Sequence, residues 1–176
     1  MGKLTLVLGG TRSGKSRYAI ELAKSHRKVA FIATCQARDR EMRERVQKHR
    51  RERPPDWKTF EEPLEVSSLI RKIHKDFQVV VLDCLTLLVS NFMLAGFKED
   101  KIQKKIQQLL GSIETSRCKW ILISNEVGSG VVPTNRLARR FRDIAGAVNQ
   151  WVAEQSDRVI FMVSGLPLTV KGNKSG

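Results

Sequence analysis

Short apolar runs alternate along this chain with longer segments in which apolar residues recur at helical spacing. The runs at 4–8, 29–33, 79–82, 120–124 and 159–163 have the length and continuous apolar character of strands buried on both faces. The pattern allows a short sixth strand after them. Helices are predicted at 15–23, 39–53, 64–74, 85–94, 98–113 and 137–152.

Strands that alternate with helices in this way indicate an α/β fold with a mostly parallel sheet flanked by helices and right-handed crossovers. In such sheets ligands bind at the carboxyl ends of the strands. With 176 residues, 41% of them hydrophobic, the chain fits one domain with a substantial core. We assign residues 1–171 to that single domain and residues 172–176 to a short loose tail.

The motif GGTRSGKS satisfies the phosphate-binding loop pattern G-x-x-x-x-G-K-[ST] at every required position, directly after the first strand and before the first helix. Its candidate phosphate-binding residues are Gly9, Gly10, Thr11, Arg12, Ser13, Gly14, Lys15 and Ser16. Backbone N–H groups of such a loop face a phosphate, as does the positive end of the following helix. Lys15 is expected to reach the β- and γ-phosphates, and Ser16 to give its hydroxyl to Mg²⁺. This predicts a P-loop enzyme that binds ATP or GTP.

Asp83 ends the apolar strand VVVLD. A carboxylate at this position is typical of the acid that holds Mg²⁺, directly or through water, beside a P-loop. The alternative is a cap on the following helix, and the two roles are compatible.

His49 lies in a strongly basic segment with Lys48, Arg50, Arg51 and Arg53. Cationic neighbours disfavour a second positive charge on an imidazole, so His49 should be neutral at pH 7. A neutral imidazole could attack phosphorus while guanidinium groups hold the phosphates. On the pattern alone, a solvated helix face that carries one histidine is the favoured interpretation of the segment.

The polar, glycine-rich segment 124–133 follows the fourth apolar run. It should lie at the ligand edge of the sheet, where it could contact substrate or a neighbouring subunit. A merely structural turn remains the alternative.

Taken together, these segments closely resemble the bifunctional adenosylcobinamide kinase / adenosylcobinamide-phosphate guanylyltransferase family of cobalamin biosynthesis. The matching blocks are GGTRSGKSRYAIEL, FIATCQARDREM, RVQKHRRERPPDWKTFEEP, VLDCLTLLVSN, SNEVGSGVVPTNRLARRFRDIAGAVNQ and SGLPL. The resemblance implies a RecA-like P-loop fold and a homotrimer with its active site near a subunit boundary. It also implies two substrates, namely the corrinoid, as adenosylcobinamide and its phosphate, and GTP or ATP.

The resemblance implies two reactions: phosphorylation of adenosylcobinamide, then transfer of GMP from GTP to that phosphate through a guanylylated histidine, which falls at His49. It further implies that Ala33, Thr34 and Arg53 belong to the guanylylation site and that Glu61 and Asp83 contact nucleotide. Lys48 stands where some members of the family carry a second histidine. A member that retains only one of the two activities is the nearest alternative.

A formal charge of +14 attracts polyanions in general. We interpret it as the incidental charge of a basic cytoplasmic enzyme without a nucleic-acid partner. A P-loop ATPase that acts on nucleic acid is the alternative, and it would bind DNA with a steep dependence on salt.

The remaining composition excludes other classes. Cys35, Cys84 and Cys118 show no C-x-x-C spacing, so neither a disulfide framework nor a zinc site is expected. The polar N-terminus does not resemble a signal peptide. The apolar segment 79–95 contains Asp83 and divides into a strand and a helix, so no membrane span is expected.

Overall fold

The computed structural model describes residues 3–36 and 40–172, and within them the side chains of Glu41, Met42, Arg43, Arg45, Lys48 and His49 lie outside the description. In chain order the elements are β1 (Leu4–Gly9), α1 (Lys15–Ala23), β2 (Val29–Ala33), α2 (Arg40–Arg51), β3 (Lys58–Glu61), α3 (Val66–Ile73), β4 (Val79–Asp83), α4 (Leu85–Leu94), α5 (Glu99–Glu114), β5 (Lys119–Asn125), α6 (Arg136–Gln155), β6 (Arg158–Val163) and β7 (Leu166–Lys171). The predicted strands and helices are all present, the sixth predicted strand is β7, and residues 173–176 of the expected tail lie outside the described residues.

The strands form one seven-stranded sheet in the order β3-β2-β4-β5-β1-β6-β7. All neighbouring pairs are parallel except β6 and β7, which are antiparallel. The predicted α/β fold with a mostly parallel sheet is therefore confirmed. Because β1 lies near the centre, the loop that follows it opens at the middle of the carboxyl edge.

Strand β3 was not predicted. It has the sequence KTFE, and its two ends, Lys58 and Glu61, are exposed. It pairs with β2 on one side only, at the edge of the sheet. A four-residue edge strand with charged ends carries too few apolar positions to stand out in a hydrophobicity pattern.

Successive residues of each central strand enter cores on opposite faces of the sheet. Leu6 and Leu82 join a large core with residues of α3, α4, α5 and α6, whereas Val7 and Val81 join a smaller core with Ala19 and Ala23 of α1. The continuous apolar runs arise because both faces are covered.

The apolar segment 79–95 forms β4 and then α4, as its internal Asp83 predicted. Across residues 3–36 and 40–172, no helix has both the length and the apolar character that a membrane crossing requires.

Candidate nucleotide site

The loop between β1 and α1 has a backbone that requires glycine at two positions. Gly9 has φ 154° and Gly14, which caps α1, has φ 94°. A Cβ atom at Gly9 would lie 2.6 Å from Ser13 Oγ and 2.7 Å from the carbonyl oxygen of Met162. The loop therefore packs too closely on itself and on β6 for any side chain at position 9.

Lys15 opens α1 and is buried, with 8% of its surface exposed. Its ammonium donates to the carbonyl oxygen of Gly10 at 2.5 Å and to Ser13 Oγ at 3.5 Å. These bonds hold a positive charge at the mouth of the loop, beside the N-terminus of α1. An anionic phosphate would meet both.

Asp83 lies at the end of β4, and its Oδ2 accepts a hydrogen bond from Ser16 Oγ at 3.0 Å. The hydroxyl and the carboxylate are oxygen ligands of the type that Mg²⁺ prefers. Within the described part of the chain, no group of three or more His, Cys, Asp or Glu residues could hold a metal ion. A site built from one carboxylate and one hydroxyl suits a cation that completes its coordination with phosphate and water.

The position of Asp83 is fixed by a bond across the ends of two strands. Thr34 follows β2 and is fully buried. Its hydroxyl donates to the carbonyl oxygen of Cys84 at 2.8 Å and accepts from the Cys84 N–H at 2.9 Å. In turn Asn91 Nδ2 donates to the carbonyl oxygen of Thr34 at 2.7 Å. The bonds between Thr34 and Cys84 thus hold together the carboxyl ends of β2 and β4, and Asn91 ties Thr34 to α4.

A cavity of about 980 Å³ opens over these groups. Of the residues predicted to bind nucleotide, residues 11–16, Ala33, Arg53 and Asp83 line it. The lining does not include Gly9, Gly10, Thr34 or Glu61. Gly9 and Gly10 belong to the phosphate loop without lining the cavity. Thr34 is fully buried, and its hydroxyl is hydrogen-bonded to the backbone of Cys84.

One wall of the cavity comes from α2 and the residues after it. Val46, Glu52 and Arg53 line it there. Arg53 stacks on the Phe31 ring at 3.6 Å from Cζ to the centroid, and one of its terminal nitrogens donates to Thr59 Oγ1 at 3.5 Å. Burial lowers the pKa of Arg53, although the carboxylates of Asp83 and Glu61 oppose that shift. A guanidinium that loses hydration in this way is suited to bind an anion.

The backbone at His49 lies in α2, one helical turn after Val46 and four residues before Arg53. The side chain of His49 is outside the described part of the structure, so its predicted contact with nucleotide stays a prediction. Glu61 ends β3 with an exposed side chain, and its carboxylate is close enough to Arg53 to raise the pKa of that guanidinium.

Several cavity residues were not predicted. They are Arg17, Ile20 and Glu21 of α1, Cys35 after β2, and Ser164 and Gly165 in the turn between β6 and β7. The Gly165 N–H donates to the carbonyl oxygen of Ser13 at 3.0 Å, so this turn supports the phosphate loop. All of them lie within the blocks that carry the family resemblance, but no role was assigned to them there. Each follows a strand or belongs to α1, so the rule that ligands bind at the carboxyl ends of the strands could have indicated those places.

The polar segment 124–133 begins at the cavity and continues into solvent-exposed residues. Asn125, at the end of β5, lines the cavity, whereas Val131 is 94% exposed. Asn125 therefore lies at the ligand edge, as predicted for the start of the segment, whereas contact with substrate or a neighbouring subunit stays a prediction.

The family model described as cobinamide kinase / cobinamide phosphate guanyltransferase matches residues 5–170. A protein of Pseudomonas aeruginosa named "Bifunctional adenosylcobalamin biosynthesis protein CobP" is 43% identical over 168 residues, 95% of this chain and 96% of that protein. The Escherichia coli K12 protein named "Bifunctional adenosylcobalamin biosynthesis protein CobU" is 40% identical over 180 residues, 96% of this chain and 99% of that protein.

Among solved structures, a RadB recombinase matches with a TM-score of 0.53 and 20% identity, over 91% of this chain and 74% of that one. At this identity the likeness shows the fold alone, and it confirms the predicted RecA-like P-loop architecture.

Proposed function

This chain belongs to the cobinamide kinase / cobinamide phosphate guanyltransferase family, and on that premise we propose the course of its two reactions. As a member it is a bifunctional kinase and guanyltransferase of adenosylcobalamin biosynthesis. First, a nucleoside triphosphate phosphorylates the hydroxyl of adenosylcobinamide. Then GTP donates GMP to that phosphate through a covalent guanylyl-His49 intermediate, which gives adenosylcobinamide-GDP and pyrophosphate.

In the kinase step the alcohol oxygen forms a bond to the γ-phosphorus while the bond to the β,γ-bridging oxygen breaks. The nucleoside diphosphate leaves with that electron pair, and the alcohol proton is released. Lys15 and the loop N–H groups bind the charged phosphoryl oxygens, because residues 11–16 line the cavity and Lys15 brings a positive charge to it. Mg²⁺, held by Ser16 and Asp83, would neutralise further phosphate charge when bound.

In the guanylylation step an imidazole nitrogen of His49 attacks the α-phosphorus of GTP and pyrophosphate leaves. The phosphate of adenosylcobinamide-phosphate then attacks the same phosphorus and frees the imidazole. Two in-line displacements preserve the energy of the phosphorus bond between donor and acceptor. Arg53, desolvated and stacked on Phe31, would bind the phosphates during both displacements.

One observation carries this proposal. A single cavity joins Lys15 and Asp83 on one side to Val46 and Arg53 on the other. A triphosphate bound to the loop can therefore extend toward the helix that contains His49. If α2 lay far from the cavity at the phosphate loop, the two reactions would not be expected to share one nucleotide site.

We also propose that the protein works as a homotrimer in the cytoplasm. The family resemblance suggests this assembly, and exposed apolar side chains such as Val131 and Leu137 are suited to be covered by a neighbouring subunit. Sedimentation velocity at micromolar concentration should give a species of three times 20.0 kDa.

The decisive experiment incubates the protein with Mg²⁺ and GTP labelled at the α-phosphate, then precipitates it. Label should remain bound, survive alkali and be lost in acid, as a histidine phosphoramidate behaves. His49→Ala should carry none, and His26→Ala, which removes an imidazole outside the cavity, should label like the wild type. Folded protein that binds GTP without acquiring label would exclude the intermediate and favour a kinase with one activity.

A further inference from the structure

Asn125 occupies a central position at the carboxyl edge of the sheet. Strand β5 lies between β1 and β4, with Gly9 opposite Asn125 and Asp83 opposite Ile123. Asn125 therefore extends two residues beyond the level of Asp83, at the start of the phosphate loop. Asn125 lines the same cavity as Asp83 and residues 11–16 of the phosphate loop.

The backbone of Asn125 is held on both sides by buried polar side chains. Its N–H donates to Thr86 Oγ1 at 2.9 Å, and its carbonyl oxygen accepts from Asn149 Nδ2 at 3.2 Å. Asn149 Oδ1 in turn accepts from Ser124 Oγ at 2.7 Å. Thr86, Asn149 and Ser124 are 3%, 7% and 0% exposed. Buried polar groups that satisfy one another in this way give a residue a rigid position.

The side-chain amide of Asn125 is not part of this network. Among residues 3–36 and 40–172, no hydrogen bond to that amide is present, and Asn125 is only half-buried. The buried network therefore fixes the backbone of a residue that lines the cavity, and it does not engage the side-chain amide of that residue. A donor that is fixed before a ligand binds needs little reorganisation to stabilise charge that develops during reaction.

We propose that Asn125 is a further catalytic residue of the kinase step, whose amide N–H donates to an oxygen of the phosphoryl group in transfer. This rests on the proposed function. The bond to the alcohol oxygen forms as the bond to the β,γ-bridging oxygen breaks, the leaving diphosphate takes the electron pair, and the proton is released. Charge spreads over the equatorial phosphoryl oxygens, and a neutral donor near both the loop and Asp83 is placed to stabilise it.

The experiment measures phosphorylation of cobinamide by Mg-ATP for the wild type, Asn125→Ala and Asn125→Asp, with Gln107→Ala as the control. Gln107 is an exposed amide on α5, outside the cavity. Asn125→Ala should lower kcat by about 100-fold, the effect of removing one preorganised donor, with a much smaller change in the KM for ATP. Asn125→Asp should lower it further, because a carboxylate accepts but does not donate and repels phosphate. The control should match the wild type.

A second readout separates catalysis from structure. Protein-bound GMP formed from α-labelled GTP should fall far less than the kinase kcat, because the γ-phosphoryl group does not react in that step. A kinase kcat within threefold of the wild type in Asn125→Ala would overturn the inference, as would equal losses of kinase, labelling and thermal stability. If the wild type itself phosphorylates no corrinoid, the proposed function fails first.

Discussion

Replacing Thr34 by Val tests whether the link between the ends of β2 and β4 is structural. Valine keeps the shape of the side chain but removes the hydroxyl that bonds both backbone groups of Cys84. The Cys84 carbonyl oxygen keeps one partner, the Leu88 N–H at 3.1 Å, whereas its N–H loses the Thr34 oxygen in a fully buried place. A buried N–H without a partner costs about 1–3 kcal/mol, so the free energy of unfolding should fall by about 2 kcal/mol.

Urea denaturation followed by tryptophan fluorescence measures this change. With a slope of about 2 kcal/mol per molar, the midpoint should fall by about 1 M. Thr34→Ser is the matched control, because it keeps the hydroxyl and loses one buried methyl group, which costs about 1 kcal/mol. A valine variant as stable as the serine variant would refute the reasoning. If stability were unchanged while the Kd for GTP rose tenfold, Thr34 would instead contact the nucleotide directly.

Three further changes have defined outcomes. Arg53→Lys keeps the charge but removes the planar group stacked on Phe31, so the Kd for GTP should rise by about tenfold in a calorimetric titration, and an unchanged Kd would contradict an anion-binding role. Gly9→Ala should abolish ATP binding, because its Cβ would lie 2.7 Å from the carbonyl oxygen of Met162, whereas Gly10→Ala meets nothing within 4 Å and should cost much less in the same binding assay. Burial raises the pKa of the Cys84 thiol from 9.0 to about 12. The unfolded chain therefore loses this proton at a lower pH than the folded protein, and the free energy of unfolding should fall as pH rises above about 9. Urea unfolding should show that this free energy decreases more between pH 8 and pH 10 in the wild type than in Cys84→Ala.

The order of elements and the phosphate loop were predictable because both depend on local sequence. The loop needs glycine at fixed intervals and a lysine at the helix start, so GGTRSGKS specifies it without knowledge of the rest of the chain. Asp83 was predictable for a similar reason, since it ends an apolar run at the edge where ligands bind.

Contacts between distant segments were not predictable. The roles of Thr34 and Asn125 depend on which strands become neighbours, and neither residue type is distinctive at the end of a strand. The Thr34 hydroxyl bonds to a residue fifty positions later, which no local pattern indicates. The predicted place of Thr34 in the guanylylation site stays a prediction. Strand β3 was not predicted because it has only four residues, with a charged residue at each end, and it pairs with one neighbouring strand.

The place of β1 in the sheet also affects how the protein is made. β1 leaves the ribosome before both of its partners, because β5 and β6 are synthesised more than a hundred residues later. The contact that supports its loop, from the Gly165 N–H to Ser13, forms later still. Contacts between residues so far apart in sequence slow folding, and the apolar strand β1 stays unpaired until β5 and β6 have been synthesised. Nascent chains arrested before residue 165 should therefore be protease-sensitive and unable to bind ATP. The phosphate loop becomes functional only after β5, β6 and the turn at Gly165 have been made.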